Sequence, residues 1–476
     1  MKVRRSQIVV LLILLWLNTH LATAQEARVY TTNNSGKTVW NHSNGISNFN
    51  VEIRGKIELT DDDRDIKSIS SDGYLEINKT VFGSKRTLVV TPQGNSLKRQ
   101  YYEGRTSMPF EPEGRKWMNE ILPELVRTTT IGAESRVNRF YKQGSINAVL
   151  DEINRLESDY VKAHYANLLV GLPILPKDYA AIISKVAGTL DSDYYLAEFL
   201  QKNLSKFLVN KEATDAVFAA CGKMESDHYK TEVIKEALRN QSASPEAVRS
   251  ILLASGKMES DHYKTEVLNA LMKQSNLTDA TIGEMINATK SIQSDYYRSV
   301  VLNRALAKAG LSSTSYQRVL ESVKDIDSDH YKTEVITNLL KNKISNEQIQ
   351  NLVEISASIN SDHYLTQVMG EVLKQDLNDE AFKSLIDHVS HMESDYYAST
   401  VLQEALKLPN LSNAKVMSIL NASTNIGSDH YITEVLIHAA PRVKSGDAAL
   451  KEAYHAAAKK IDSETYYGRA MKALEN

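Results

Sequence analysis

The chain has 476 residues, a formal charge of −3, 24% charged residues and one cysteine, Cys221. A weak negative balance argues against a nucleic-acid partner, which needs a basic face, and a lone cysteine excludes a fold stapled by internal disulfides. The length calls for several domains or one long repeat array.

The first residues have the order of an export signal. Lys2, Arg4 and Arg5 form a basic start, Ile8–Trp16 an apolar run, and Ala22-Thr23-Ala24 an A-x-A-type cleavage site. The run is too short to span a bilayer, so residues 1–24 read as a cleaved signal peptide, with the mature chain starting near Gln25. No later stretch approaches the ~18 apolar residues of a membrane helix, so no transmembrane segment is expected after cleavage. An exported chain of this length with one cysteine fits a bacterial periplasm or cell surface better than a disulfide-dense secreted module.

Residues 25–105 read as a small antiparallel β-rich domain. Val51, Ile53, Ile57 and Leu59 alternate at period two, with Gly55 keeping the phase, and Leu75 and Ile77 follow the turn signal Ser71-Asp72-Gly73. Leu88–Val90 and Leu97–Tyr101 flank Pro92-Gln93-Gly94-Asn95, a hairpin turn. Residues 106–143 then read as connecting helices. Trp117, Ile121 and Leu125 recur at helical spacing, on a face expected to cover the first repeat.

Residues 144–476 repeat. The dipeptide Ser-Asp falls at Ser158, Ser192, Ser226, Ser260, Ser294, Ser328, Ser361, Ser394 and Ser428, with a degenerate copy at Ser463-Glu464. The spacing of 33 to 35 residues marks stacked supersecondary units. Each unit reads as two helices. In the copy around Ser260, helix A starts at Ser244-Pro245 and carries Val248, Ile251 and Leu252; helix B starts at Ser260 and carries Tyr263, Val267 and Leu271. The predicted fold is therefore mostly α, a right-handed α-solenoid of about ten two-helix repeats behind the β-rich domain.

The densest string, Gly222–Val233, recurs unchanged at Gly256–Val267. Its Ser suits the N-cap, its Asp the positive end of the helix dipole, and its Tyr the start of the apolar face. Five residues after the Ser stands a small side chain in every copy, from Ala163 to Gly468, as close approach of a neighbouring helix requires. His228, His262, His330 and His430 have Glu232, Glu266, Glu334 and Glu434 four residues later, and His363 has Gln367. That spacing predicts a row of surface His–Glu pairs, able to titrate near neutral pH.

No catalytic, cofactor or metal site is expected. Asp261, His262 and Glu266 could ligate a metal only if every repeat built its own site, and no H-E-x-x-H or Cys/His cluster exists. His388 and His391 read as a solvated helix end, and Asp61, Asp62, Asp63 and Asp65 as an acidic turn without the Gly and distal Glu of an EF-hand. Cys221 aligns with Ser255 and reads as a small buried residue. Triplets such as Asn276-Leu277-Thr278 read as loop and cap chemistry.

Ser71–Ile77, Gly114–Arg127, Ile131–Tyr141 and the SDYY/SDHY repeats together resemble a group of exported bacterial HEAT-like α-solenoid proteins. Similar segments lie downstream of the membrane metallopeptidase domain in some relatives of beta-lactam-sensing receptors. The resemblance covers nearly the whole mature chain and implies an envelope location. It carries no catalytic residue across, because the peptidase's zinc motif and membrane helices are missing from this sequence. The function expected is a non-enzymatic scaffold that offers an elongated solenoid surface to a protein or peptide of the envelope. A sensory or regulatory module of a membrane peptidase system, and a hydrolase with an unrecognised site, are the alternatives.

Overall fold

The computed structural model describes residues 37–475 apart from 44, 45, 241–243, 276, 309 and 310. The signal-peptide segment and Asn276 lie outside the described residues. The chain divides into two units, the first ending at Asn203 and the second beginning at Leu204.

The first unit opens with a six-stranded antiparallel sheet. Its strands are β1 (Lys37–Ser43), β2 (Ser47–Arg54), β5 (Tyr74–Val81), β6 (Ser84–Gln93), β7 (Ser96–Glu103) and β8 (Thr106–Met108), in that spatial order. Strands β3 (Ile57–Leu59) and β4 (Ile66–Ile69) pair separately. Register places Trp40, Val51, Ile77, Leu88 and Tyr101 in one row across the sheet, and all five are buried. Onto that row packs the helix Arg115–Thr128, with Trp117, Met118, Ile121, Leu122 and Leu125 in the same core. The rings of Tyr101 and Trp117 lie 5.7 Å apart. The apolar face expected to cover the first repeat thus belongs to the β-sheet core.

Two turns differ from the sequence expectation. Gly55 does not keep a strand in phase but ends it: its φ is +79°, and a Cβ there would lie 2.0 Å from Ser70 Oγ. The left-handed region is open to glycine at little cost, so the chain leaves β2 here and starts the separate β3–β4 pair. The predicted hairpin exists, but its turn is only Gly94-Asn95, and Pro92 pairs with Leu97 inside the ladder.

The acidic turn between β3 and β4 is pinned by arginines. Asp65 accepts from Arg99 (2.8 Å) and Arg115 (3.1 Å), and Asp63 from Arg136 (3.0 Å) and Arg139 (2.9 Å). Arg136, 2% exposed, also donates to Glu152 (2.7 Å) and to the Tyr165 hydroxyl (2.5 Å). It thereby ties the turn to the helices Ala133–Arg155 and Asp159–Gly171. The first of these helices is broken at Gly144 and Ser145, whose backbone angles are not helical. Tyr179–Ala187 and the start of Asp193–Phe207 complete the unit.

The second unit is an α-solenoid. Its A helices are Lys211–Cys221, Pro245–Gly256, Asp279–Ala288, Ser313–Lys324, Asn346–Ser356, Asp379–Val389, Asn413–Ser423 and Ala448–Ala458. They alternate with the B helices Asp227–Asn240, Asp261–Met272, Asp295–Leu306, Asp329–Leu339, Asp362–Val372, Asp395–Leu406, Asp429–Lys444 and Glu464–Glu475. Each A helix packs on the next A and each B on the next B, giving two layers with one continuous apolar interior. Val248, Ile251, Val267 and Leu271 lie in that interior, while Leu252 is only half-buried. No described helix is long and apolar enough to cross a membrane.

Candidate functional site

The repeated string forms the first turn of each B helix, and its polar letters are spent largely on the following copy. Asp227 accepts the backbone N–H groups of Glu259 (2.8 Å) and Ser260 (2.9 Å). Asp261 does the same for Gln293 (2.9 Å) and Ser294 (2.7 Å), and Asp295 for Asp327 (3.0 Å) and Ser328 (2.7 Å). Asp329, Asp362, Asp395 and Asp429 continue the ladder, and Asp159 starts an equivalent pair in the first unit. The Asp lies in the first helical turn, as predicted, but its carboxylate also joins one repeat to the next.

The Ser is at the N-cap position without capping through its hydroxyl. Ser260, Ser294, Ser328, Ser361, Ser394 and Ser428 make no side-chain cap bond. Side-chain caps occur instead on the A helices: Asn210, Ser244, Thr278, Ser312, Ser345, Asn378, Ser412 and Asp447 each accept from a backbone N–H of the first turn. At the B helices the preceding Asp takes up the Ser backbone N–H, which fixes the chain's entry without the hydroxyl.

Four residues after the Ser, several copies bury a cation that the sequence reading did not single out. Lys230, Lys264, Arg298 and Lys332 are all under 10% exposed. Lys264 donates to the Ser291 carbonyl (2.7 Å), Lys332 to the Ser358 hydroxyl (2.8 Å), and Arg298 to the carbonyls of Asp325 and Ile292. Burying a charge is unfavourable unless it is bonded. The loop of the following copy supplies the Ser291, Asp325 and Ser358 acceptors, and Arg298's own copy supplies Ile292. Lys at this place in helical sequence reads as a solvated residue, so only the repeat-to-repeat geometry reveals it.

The small position behaves as expected of a close helix contact. Thr231, Thr265, Ser299, Thr333, Ser399 and Thr433 are buried, whereas Gly468 in the last copy is exposed and a Cβ there would meet nothing within 4 Å. Ser299 and Ser399 donate to carbonyls three residues back. The hydroxyls of Thr231, Thr265, Thr333 and Thr433 have no partner among the described residues.

The His–Glu row is arranged differently from the sequence expectation. His228, His262, His330 and His430 are exposed, and among the described residues no histidine nitrogen lies within 4 Å of a glutamate oxygen. Lys235 bridges Glu232 (3.3 Å) and Glu266 (2.9 Å), Asn303 donates to Glu334 (2.9 Å), and Arg469 to Glu434 (2.8 Å). Only His363 meets its partner, with Gln367 Nε2 at 2.9 Å. The hydrogen bond from Lys235 holds the Glu266 carboxyl below the usual range.

The imidazoles pack on tyrosines. His262 lies 5.1 Å from the Tyr263 ring beside it and 5.8 Å from Tyr297 of the next copy. Where Tyr replaces His the pattern holds: Tyr296 lies 5.0 Å from Tyr297 and 5.9 Å from Tyr331. The alternation runs unbroken from Tyr229 through His228 and Tyr263 to Tyr431, His430 and Tyr466. Successive rings meet at about 60°, the tilted geometry that aromatic quadrupoles favour. The sequence signal for this ladder was two ring-bearing side chains in a row after Ser-Asp, in eight copies from Tyr194-Tyr195 to His430-Tyr431.

The remaining candidates fall into structural roles. Cys221 is buried, and burial pushes its thiol up to about 12, far from a thiolate nucleophile. His388 and His391 each place Nδ1 against a backbone carbonyl, of Ser384 (2.9 Å) and Asp387 (2.7 Å). Among the described residues no three His, Cys, Asp or Glu side chains gather to hold a metal ion.

Fold and surface together define an α-solenoid repeat protein. No protein-family model matches the chain, and no curated protein matches it. Among solved structures it is similar to a chain from "Computational Design of Self-Assembling Cyclic Protein Homooligomers", at 11% identity over 69% of this chain and 93% of that one, with a TM-score of 0.11. It is also similar to a "circular tandem repeat protein with novel repeat topology and enhanced subunit contact surfaces", at 11% identity over 76% and 78%, with a TM-score of 0.14. At such scores neither likeness carries an argument, and the solenoid assignment rests on the helix pairs themselves.

Proposed function

We propose that the protein is a non-enzymatic binding or scaffold protein of the bacterial cell envelope, whose solenoid surface receives a protein or peptide partner. The observation that supports this role most is the destination of the repeated ionisable residues. Asp and Lys are consumed in repeat-to-repeat bonds, and the rings form one periodic exposed edge along the B helices. An active site needs a single constellation, whereas a solenoid gains from a surface that repeats.

Affinity capture with the immobilised full chain in bacterial envelope extract tests the role. A specific protein or peptide should be retained and should be displaced by free chain. Turnover of a substrate by the purified protein, with no partner retained, would overturn it.

A further inference from the structure

The aromatic ladder has the period and the charge of a receptor for a particular kind of chain. Copies of a B helix stack at roughly the 8–10 Å of packed helices. A polyproline II segment advances ~3.1 Å per residue with three residues per turn, so each turn, about 9 Å, matches one repeat. The rings do not form a flat shelf. His228 and Tyr263 meet at 59° and His262 and Tyr297 at 60°, so the ladder presents tilted rings in edge contact. Beside the first of these contacts lies a cleft of about 730 Å³, whose lining includes His228, Tyr263, Asp227 and Glu259. Lys230 and the exposed Lys257 also line it; Lys230 is buried against Asp227, so Glu259 is the carboxylate left to face a ligand there. Further along, Asp327 and Glu393 occupy the place of Glu259, one residue before the Ser, in every second copy, with Gln293, Asn360 and Gly427 at the same place in the other copies. The three carboxylates are exposed. Tyr296 and Tyr396 are half exposed, at 50% and 52%.

The geometry points to an extended, proline-rich, cationic segment of a partner protein as the occupant of this ladder, laid along the B helices with about three residues per repeat. Proline rings lie against the tilted aromatic rings, and a Lys or Arg at every second repeat reaches a ring face and the carboxylate of Glu259, Asp327 or Glu393. The inference rests on the scaffold role proposed above and names the chemistry of its partner.

Binding of synthetic (Pro-Pro-Lys)n peptides of increasing length to the full chain tests it by calorimetry. Affinity should rise with n, fall with salt and drop about tenfold in the Tyr296→Ser/Tyr396→Ser variant, with the unfolding midpoint unchanged. A (Pro-Pro-Glu)n peptide should not bind, and a scrambled peptide of the same composition as (Pro-Pro-Lys)n should bind more weakly. Equal binding of the scrambled peptide, no binding of (Pro-Pro-Lys)n, or binding of a β-1,4-linked oligosaccharide instead would overturn the assignment. If an envelope partner is captured but (Pro-Pro-Lys)n neither binds nor displaces it, this inference fails while the scaffold role stands.

Discussion

Ser244 and Ser260 hold the same position, one residue before a helix, yet only Ser244 uses its hydroxyl there, accepting from Ala247 N–H at 3.1 Å. Ser244→Ala should therefore destabilise the protein by about 0.5–2 kcal/mol, and Ser260→Ala should cost clearly less, as read by urea unfolding. Asp261→Ala is the larger lesion of the B-helix turn. It removes the acceptor of the Gln293 and Ser294 N–H groups. Gln293 is exposed and Ser294 part-buried, so water replaces part of the loss and the cost should be about 0.5–1.5 kcal/mol, the net worth of a hydrogen bond. The unpartnered Thr265 hydroxyl gives the opposite sign: Thr265→Val keeps the shape and removes a buried polar group, so the unfolding midpoint should hold or rise. A loss of a kilocalorie or more there would mean that the hydroxyl is bonded in solution. The order Ser, Asp, small residue was legible in the sequence as a helix start. That the Asp and the Lys act on the following copy was not, because a one-dimensional period shows which residues are equivalent but not which atoms of neighbouring copies face each other.

At the scale of the element, the turn between β3 and β4 and the A helices set different limits on stability. Arg136 is buried with Asp63 and Glu152 as its anions, so Arg136→Met leaves the buried Glu152 with only the exposed Arg155 at 3.7 Å and Asp63 with Arg139 alone. Breaking such a buried pair costs about 3–5 kcal/mol, and loss of the near-UV aromatic signal of the first unit at lower urea than in wild type would report it. Between A helices, Asp279 accepts from the Ser312 N–H (2.9 Å) and hydroxyl (2.6 Å). Burial pushes its carboxyl up, but the bonds to Ser312 outweigh that and hold it below the ordinary carboxylate value. A folded-state value below the unfolded one means that the contribution is full at neutral pH. It is lost as pH falls from the unfolded carboxylate value, about 3.9, through the folded one. Asp279→Asn should lower the midpoint near pH 7 and flatten its acid dependence, with no difference from wild type at the acid end. Sequence periodicity located the β-rich region and the hairpin at Gly94-Asn95, but missed the break at Gly55. Alternation of Val51, Ile53, Ile57 and Leu59 continues across that glycine although the backbone turns there.

For the whole molecule, the helix pairs were readable because a period near 34 residues recurs through most of the chain. The surface was readable only in part. Exposure of His228, His262, His330 and His430 followed from their place on the helix, but their partners were assigned within one helix, to Glu232, Glu266, Glu334 and Glu434. In the structure the rings lean toward the next copy's tyrosine, where edge contact and apolar area favour them. This change converts a row of separate pairs into one continuous edge, and the proposed role depends on that continuity. The most direct test compares capture from envelope extract by the wild-type chain and by the Tyr296→Ser/Tyr396→Ser variant, at matched unfolding midpoints. The account predicts a partner retained by the wild type and largely lost by the variant. Equal retention by both would contradict it.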